Sequence, residues 1–179
     1  MGNMFVAGVD LGATWVRVVV SDENGNILGK LSEKTCKEGS GEKISEQILD
    51  MISKLVKETK VTSISAVGIG SIGPLDMKKG IIVKPANLPF ENIPLVEPIS
   101  SKLNVPVYLV NDCTAAVIGE RMFGAGKNVD NLVYVTLSTG IGGGAYVDGR
   151  LLLGKDSNAI EISHTVINFE DRLKPVLYI

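Results

Sequence analysis

The chain has 179 residues, 45% of them hydrophobic, enough for a sizeable core and for one domain plus part of another, or two small ones. Its 18 basic and 20 acidic side chains nearly cancel to a formal net charge of −2, which argues against nucleic acid or an anionic membrane as partner and toward small molecules. Cys36 and Cys113 lack CxxC spacing, which excludes a disulfide framework or a cysteine zinc site built from this chain alone; with a first apolar run broken at Asp10, the pattern predicts a cytoplasmic protein.

In chain order, Phe5 to Leu11 and Trp15 to Ser21 are rich in β-branched residues and flank Gly12, Ala13 and Thr14, which predicts two strands and a tight turn. The sequence DENG, Asp22 to Gly25, turns the chain into a third strand near Ile27 to Ser32. From Gly41 to Glu58, Ile44, Ile48, Met51, Ile52 and Leu55 recur at helical spacing, with Ser40 placed to cap the helix. Ser65 to Ile69 is the next strand. The following GIGSIG, Gly68 to Gly73, matches the GxGxxG dinucleotide pattern in letters only, because Pro74 blocks the helix that must receive the pyrophosphate. A proline-bearing loop from Ile82 to Pro98, a short helix at Leu95 to Leu103, a strand at Val105 to Val110 and a helix at Ala115 to Phe123 complete a β-β-β-α-β-α-β-α unit. Gly124 and Gly126 end that last helix.

A second meander follows: a strand opening at Asn131 to Thr136, the sequence LSTGIGGG from Leu137 to Gly144, Ala145 to Val147, a turn at Asp148-Gly149, and Leu151 to Leu153. It repeats the order of the first, so the chain reads as an internal duplication whose halves, 1–127 and 128–179, face each other across a cleft. The second copy stops after its three strands, which reads as a truncated or frame-disrupted product. Self-association into a homo-oligomer is expected from the surface an absent half would leave.

Both meander turns are candidate phosphate sites. At Asp10-Leu11-Gly12-Ala13-Thr14, small residues let backbone amides approach an anion, the threonine adds a hydroxyl, and Asp10 suits Mg²⁺ held through water; a plain hairpin turn is the alternative. Ser138, Thr139, Gly140, Gly142 and Gly143 form the second, where glycines in a strand weaken it unless something approaches closely: a polyphosphate, or a crowded neighbouring backbone. Asn111 and Asp112 end a strand just before a helix, where α/β crevices form. Asp112 can take a proton from a substrate hydroxyl and Asn111 can both donate and accept; the alternative is that Asp112 is a helix N-cap. Glu161 and His164, in EISH, are a polar pair in an apolar setting, and Asn87 in PANLPF lies in the proline-bearing loop with an amide suited to a sugar hydroxyl or to a turn. Arg17, on the second strand, is an auxiliary charge without an assigned role.

With these pieces placed, GVDLGAT at Gly8 to Thr14 and LSTGIGGGAYVDGRLLLG at Leu137 to Gly154 resemble the two phosphate motifs of the ROK family of sugar kinases and repressors, with Ser138 where glycine is usual. The resemblance extends to about Asn168. It implies an α/β, ribonuclease H-like/actin-like ATPase fold and an ATP-dependent hexose kinase, with ATP and Mg²⁺ as cofactors. It further implies Asp112 as catalytic base, and Asn87, Asn111, Asp112, Glu161 and His164 as sugar ligands. EISH stands where the family has Glu-x-Gly-His, with Ser163 replacing the glycine. The family's CxCGxxGC zinc loop is replaced by INFEDRLKPVLYI, Ile167 to Ile179, so no metal ligand set is expected around His164. The resemblance also admits a silent sugar-binding module or a sugar-responsive regulator; a helix-turn-helix ahead of Asp10 does not fit the short N-terminal stretch.

Overall fold

The computed structural model describes residues 4–138, 140–154 and 159–165, arranged as two compact units, 1–112 and 113–179. In the first unit, β1 (Phe5–Leu11), β2 (Trp15–Asp22) and β3 (Ile27–Lys34) form the antiparallel meander expected from their β-branched runs. The β2–β3 turn is set by Asp22, whose carboxylate accepts the backbone N–H groups of Asn24 and Asn26, each at 2.9 Å, and the Asn26 side-chain amide at 2.8 Å. These bonds hold the Asp22 carboxyl below the usual carboxylate range. Gly25 takes the left-handed backbone that the turn requires.

Helix α1 (Glu42–Thr59) follows, and Ile44, Ile48, Met51, Ile52 and Leu55 are all buried, as their spacing predicts. The cap differs from expectation. Gly41 occupies the N-cap with no side-chain bond, while Ser40 hydrogen-bonds the Glu42 carboxyl and lowers its pKa. The buried stripe of α1 joins Val16, Val18 and Val20 of β2 and Ala7, Val9 and Leu11 of β1 in one core. Side chains also tie the helix down: Ser45 donates to the Pro94 carbonyl, and Gln47 donates to the Lys34 carbonyl at 2.9 Å.

Strand β4 (Ala66–Ser71) pairs parallel with β1, and no helix follows it. The chain instead passes through a cis Gly73–Pro74 bond into β5 (Leu75–Asp76). The loop expected over 82–98 is more ordered than its prolines suggest. With β6 (Ile81–Ile82) and β7 (Ile93–Pro94), β5 makes a small antiparallel sheet, anchored by buried Ile82, Leu88 and Ile93. Its strands are two residues long, too short for any periodicity to register. Helix α2 (Val96–Leu103) leads to β8 (Val107–Asn111), which pairs parallel with β4 and closes a sheet of order β3-β2-β1-β4-β8.

Helix α3 (Asp112–Met122) begins three residues earlier than the apolar pattern suggests. In the second unit, β9 (Leu132–Leu137), β10 (Ile141–Val147) and β11 (Arg150–Leu151) repeat the meander, with Asp148 and Gly149 both at positive φ in the turn. The glycine run lies inside β10, and packing within this unit accounts for much of it. A Cβ at residue 142 would sit 2.6 Å from Cys113 Sγ, and one at residue 144 would sit 2.5 Å from the Cys113 carbonyl oxygen, so these glycines let the start of α3 lie on the strand. Residue 143, on the opposite face, abuts Ile160 and Ile162. A Cβ at residue 140 would meet open space. Arg121 fastens α3 further, lying 5.5 Å from the Tyr146 ring centroid and 3.2 Å from Asp130.

Two consequences are measurable. Ile48→Ala should lower unfolding free energy by about 2–5 kcal/mol, because a fully buried aliphatic side chain is removed from a closed layer; urea titration reads it. Gly144→Ala should cost about 1–3 kcal/mol by overpacking against the Cys113 backbone, whereas Gly140→Ala should stay within about 0.5 kcal/mol, a contrast that thermal melts of the two variants compare directly.

Candidate active site

The first-unit candidates gather at one edge of the large sheet. Parallel pairing sets Leu11 opposite Ser71 and Ser71 opposite Asn111, so the carboxyl ends of β1, β4 and β8 finish level. Asp10, the Gly12-Ala13-Thr14 turn and Asn111-Asp112 therefore share the edge at which α/β sheets bind ligands. Asp112 is the first residue of α3, so the carboxylate stands at a strand-to-helix switch and within the positive end of a helix of eleven residues.

The turn after β1 is fixed from within and from outside. The Gly12 N–H donates to the Trp15 carbonyl at 2.9 Å, so that amide is already used by the turn and not aimed outward as a simple anion cradle would have it. Thr35, just beyond β3, donates its hydroxyl to the Gly12 carbonyl at 2.7 Å and its N–H to the Thr14 carbonyl at 3.0 Å. Thr14 itself is exposed. Thr35 is a contributor that sequence reasoning missed: it stands 23 residues from Gly12, and no local pattern announces it.

Asp10 faces Arg17 directly across the hairpin, and Arg17 Nη1 donates to Asp10 Oδ2 at 2.8 Å, both side chains being more than half exposed. This gives Arg17 the partner that the sequence left unassigned. Mg²⁺ binds through one or two carboxylates with phosphate and water completing its shell; Asp10 is a carboxylate of that kind at this edge, held by Arg17. Among the described residues no group of three or more His, Cys, Asp and Glu side chains forms a metal cage.

Ser71 and the loop to Pro74 also reach this edge, with the Ile72 N–H bonded to the Leu11 carbonyl at 3.1 Å. The glycine-rich segment set aside as a dinucleotide motif thus borders the candidate site without forming that motif. Asn87 lies exposed in the loop between β6 and β7, and its carbonyl accepts Lys37 Nζ at 3.4 Å; the neighbouring buried Leu88 anchors the loop.

In the second unit, Ser138 and Gly140 make the β9–β10 turn, with the Ser138 N–H donating to the Gly140 carbonyl at 2.9 Å; Thr139 lies outside the described residues. Gly142 and Gly143 stand in the ladder opposite Thr136 and Val135. Glu161 and His164 bracket a short 3₁₀ turn (Ile162–His164), and His164 Nε2 lies 3.8 Å from Glu161 Oε2, with both side chains largely exposed. The two residues are thus brought together on one turn.

Among the described residues no helix is long and apolar enough to cross a membrane. Comparison with known proteins agrees with the motif reading. The model of the ROK family matches residues 6–173. The glucokinase of Pyrobaculum calidifontis is 43% identical over 163 residues, covering 91% of this chain and 50% of that protein. The xylose repressor of Caldicellulosiruptor bescii is 32% identical over 168 residues, covering 93% of this chain and 42% of the repressor. Among solved structures, the ROK hexokinase of Thermus thermophilus superposes with a TM-score of 0.82 at 33% identity, over 92% of this chain and 54% of that one. The chain spans about half the length of the curated relatives it matches. A family match over nearly the whole chain, a parallel sheet with both meanders in the expected order, and kinase and repressor relatives together place this protein in the ROK family.

Proposed function

We propose that the chain is the N-terminal portion of an ATP-dependent hexose kinase acting on glucose or a related aldohexose in the cytoplasm. The single observation that carries the reading is the level edge of β1, β4 and β8, which sets the turn after Asp10 and the Asn111-Asp112 pair at the same end of one sheet. The glucokinase relatives support it, as does a ROK glucokinase of Streptomyces griseus in complex with glucose and AMPPNP, which superposes with a TM-score of 0.79 at 31% identity. The halves 1–127 and 128–179 are kept as the duplicated units; compact packing assigns α3 to the second.

In this reading Asp112 accepts the proton of the sugar C6 hydroxyl as its oxygen bonds the γ-phosphorus, while the bridging bond to the β-phosphate breaks and ADP leaves. Phosphoryl transfer has a loose transition state, so orienting the hydroxyl matters more than a strong base. Asn87, Asn111, Glu161 and His164 would bind the sugar hydroxyls. Thr14 with Ala13 would hold phosphate, as would Ser138, Thr139 and Gly140, with Gly142 and Gly143 contributing backbone. Asp10 would hold Mg²⁺ through water, where the ion neutralises phosphate charge.

Because a whole kinase of this family is about twice as long, the 179-residue chain should phosphorylate glucose poorly or not at all; robust glucose-dependent ATP turnover by it would overturn this. Calorimetry should nonetheless detect glucose. Asp112→Asn should weaken that binding about tenfold or more, the value of a charge-assisted hydrogen bond, and unchanged affinity would remove Asp112 from the sugar site. The repressor relatives favour a second reading, a sugar-binding module of regulatory or assembly type. Glucose binding with no binding of an ATP analogue would select it over the kinase.

A further inference from the structure

Gln47 stands on α1 beside the aliphatic stripe that packs the helix, and it is half-buried. Its side chain bonds the backbone on both sides of Thr35: Oε1 accepts the Cys36 N–H at 3.0 Å, and Nε2 donates to the Lys34 carbonyl at 2.9 Å. An extended chain sends the polar groups of alternate residues to opposite edges, so the Lys34 carbonyl and the Cys36 N–H face the helix while the Thr35 N–H faces the Thr14 carbonyl. One carboxamide, with a donor and an acceptor, thus stands in for a neighbouring strand beside β3, the edge strand of its sheet. Glu33 sets the sense of that carboxamide. Its carboxylate accepts Gln47 Nε2 at 3.3 Å and Lys54 Nζ at 3.1 Å, which draws the nitrogen end toward β3.

The short segment that Gln47 grips touches both candidate subsites of this unit. Thr35 holds the Gly12 carbonyl with its hydroxyl at 2.7 Å and the Thr14 carbonyl with its N–H at 3.0 Å. Two residues on, Lys37 Nζ donates to the Asn87 carbonyl at 3.4 Å. The loop of Asn87 is closed at its neck, where the Asn92 N–H donates to the Val83 carbonyl at 2.7 Å and Lys84 Nζ pairs with Glu91 at 2.7 Å. A loop closed in this way shifts as one piece, so a tether at Asn87 bears on all of it. We infer that Gln47 is a positioning residue for both subsites: it fixes residues 35–37, which set the phosphate turn through Thr35 and the sugar loop through Lys37.

That role rests on the proposed reading of the 12–14 turn as a phosphate subsite and of Asn87 as a sugar ligand. Gln47→Met keeps the side-chain length and removes both bonds to the segment. In the ligand-free chain, amide exchange at Gly12 and Thr35 should speed by about fivefold or more in this variant, while exchange at Val18, in the middle of β2, is unchanged. Equal acceleration at Val18 would make the role one of stability alone and overturn the inference. Calorimetry should show glucose and Mg²⁺-AMPPNP each bound about fivefold more weakly, the value of one lost hydrogen bond. Adding Gln47→Met to Thr35→Val should cost no further AMPPNP affinity, because the first acts through the second. Unchanged affinities in Gln47→Met, or losses that add in the double variant, would overturn the inference and leave the subsites standing. An unsubstituted chain that bound neither ligand would overturn the reading of the subsites, and the inference with it.

Discussion

Parallel pairing of β1, β4 and β8 is the constraint on which the rest depends. A parallel strand cannot be reached by a hairpin, so each crossover must bring a helix or a long connection back over the sheet. Here α1 returns the chain from β3 to β4, and the β5–β7 sheet with α2 returns it from β4 to β8. Both returns pack their aliphatic residues onto one face, which is why Val16, Val18, Val20, Ile48, Ile82 and Ile99 share a core. The register that results sets the carboxyl ends level and so collects the turn after Asp10, the Ser71–Pro74 connection and Asn111-Asp112 at a single edge.

The turn at that edge is held mainly by its own chain. Thr35 clamps two carbonyls of the turn and Arg17 spans the hairpin to Asp10, so the geometry is pre-formed by β2 and the end of β3. A surface ion pair of this exposure adds little stability. Its consequence is positional: the Arg17 guanidinium fixes the orientation of the Asp10 carboxylate.

The glycines of β10 show how one sequence signal can serve two ends. Residues 142 and 144 must lack a Cβ for Cys113 and Val117 of α3 to approach, and residue 143 must lack one for Ile160 to approach on the other face. Close packing therefore explains three of the four glycines, and Gly140 alone faces open space in the turn. The glycine run is a packing motif, because a strand without Cβ atoms lets a neighbouring helix approach closely.

The sequence by itself determined the meanders, the spacing of α1, the duplication and the family, since periodicities of two and near four residues and hairpin turns are written in neighbouring letters. Strand β1 and the five buried positions of α1 fall where those periodicities put them. It did not determine the small β5–β7 sheet, whose strands of two residues carry no period, nor the start of α3 at Asp112, because its polar first turn lies outside the apolar pattern by which a helix is read. Only the tertiary structure decided that Thr35 braces a turn 23 residues away, that the Gly12 N–H is spent inside that turn, and that β10 packs through its glycines. Those are contacts between elements distant in sequence, and a pattern of neighbours holds no record of which surfaces will meet.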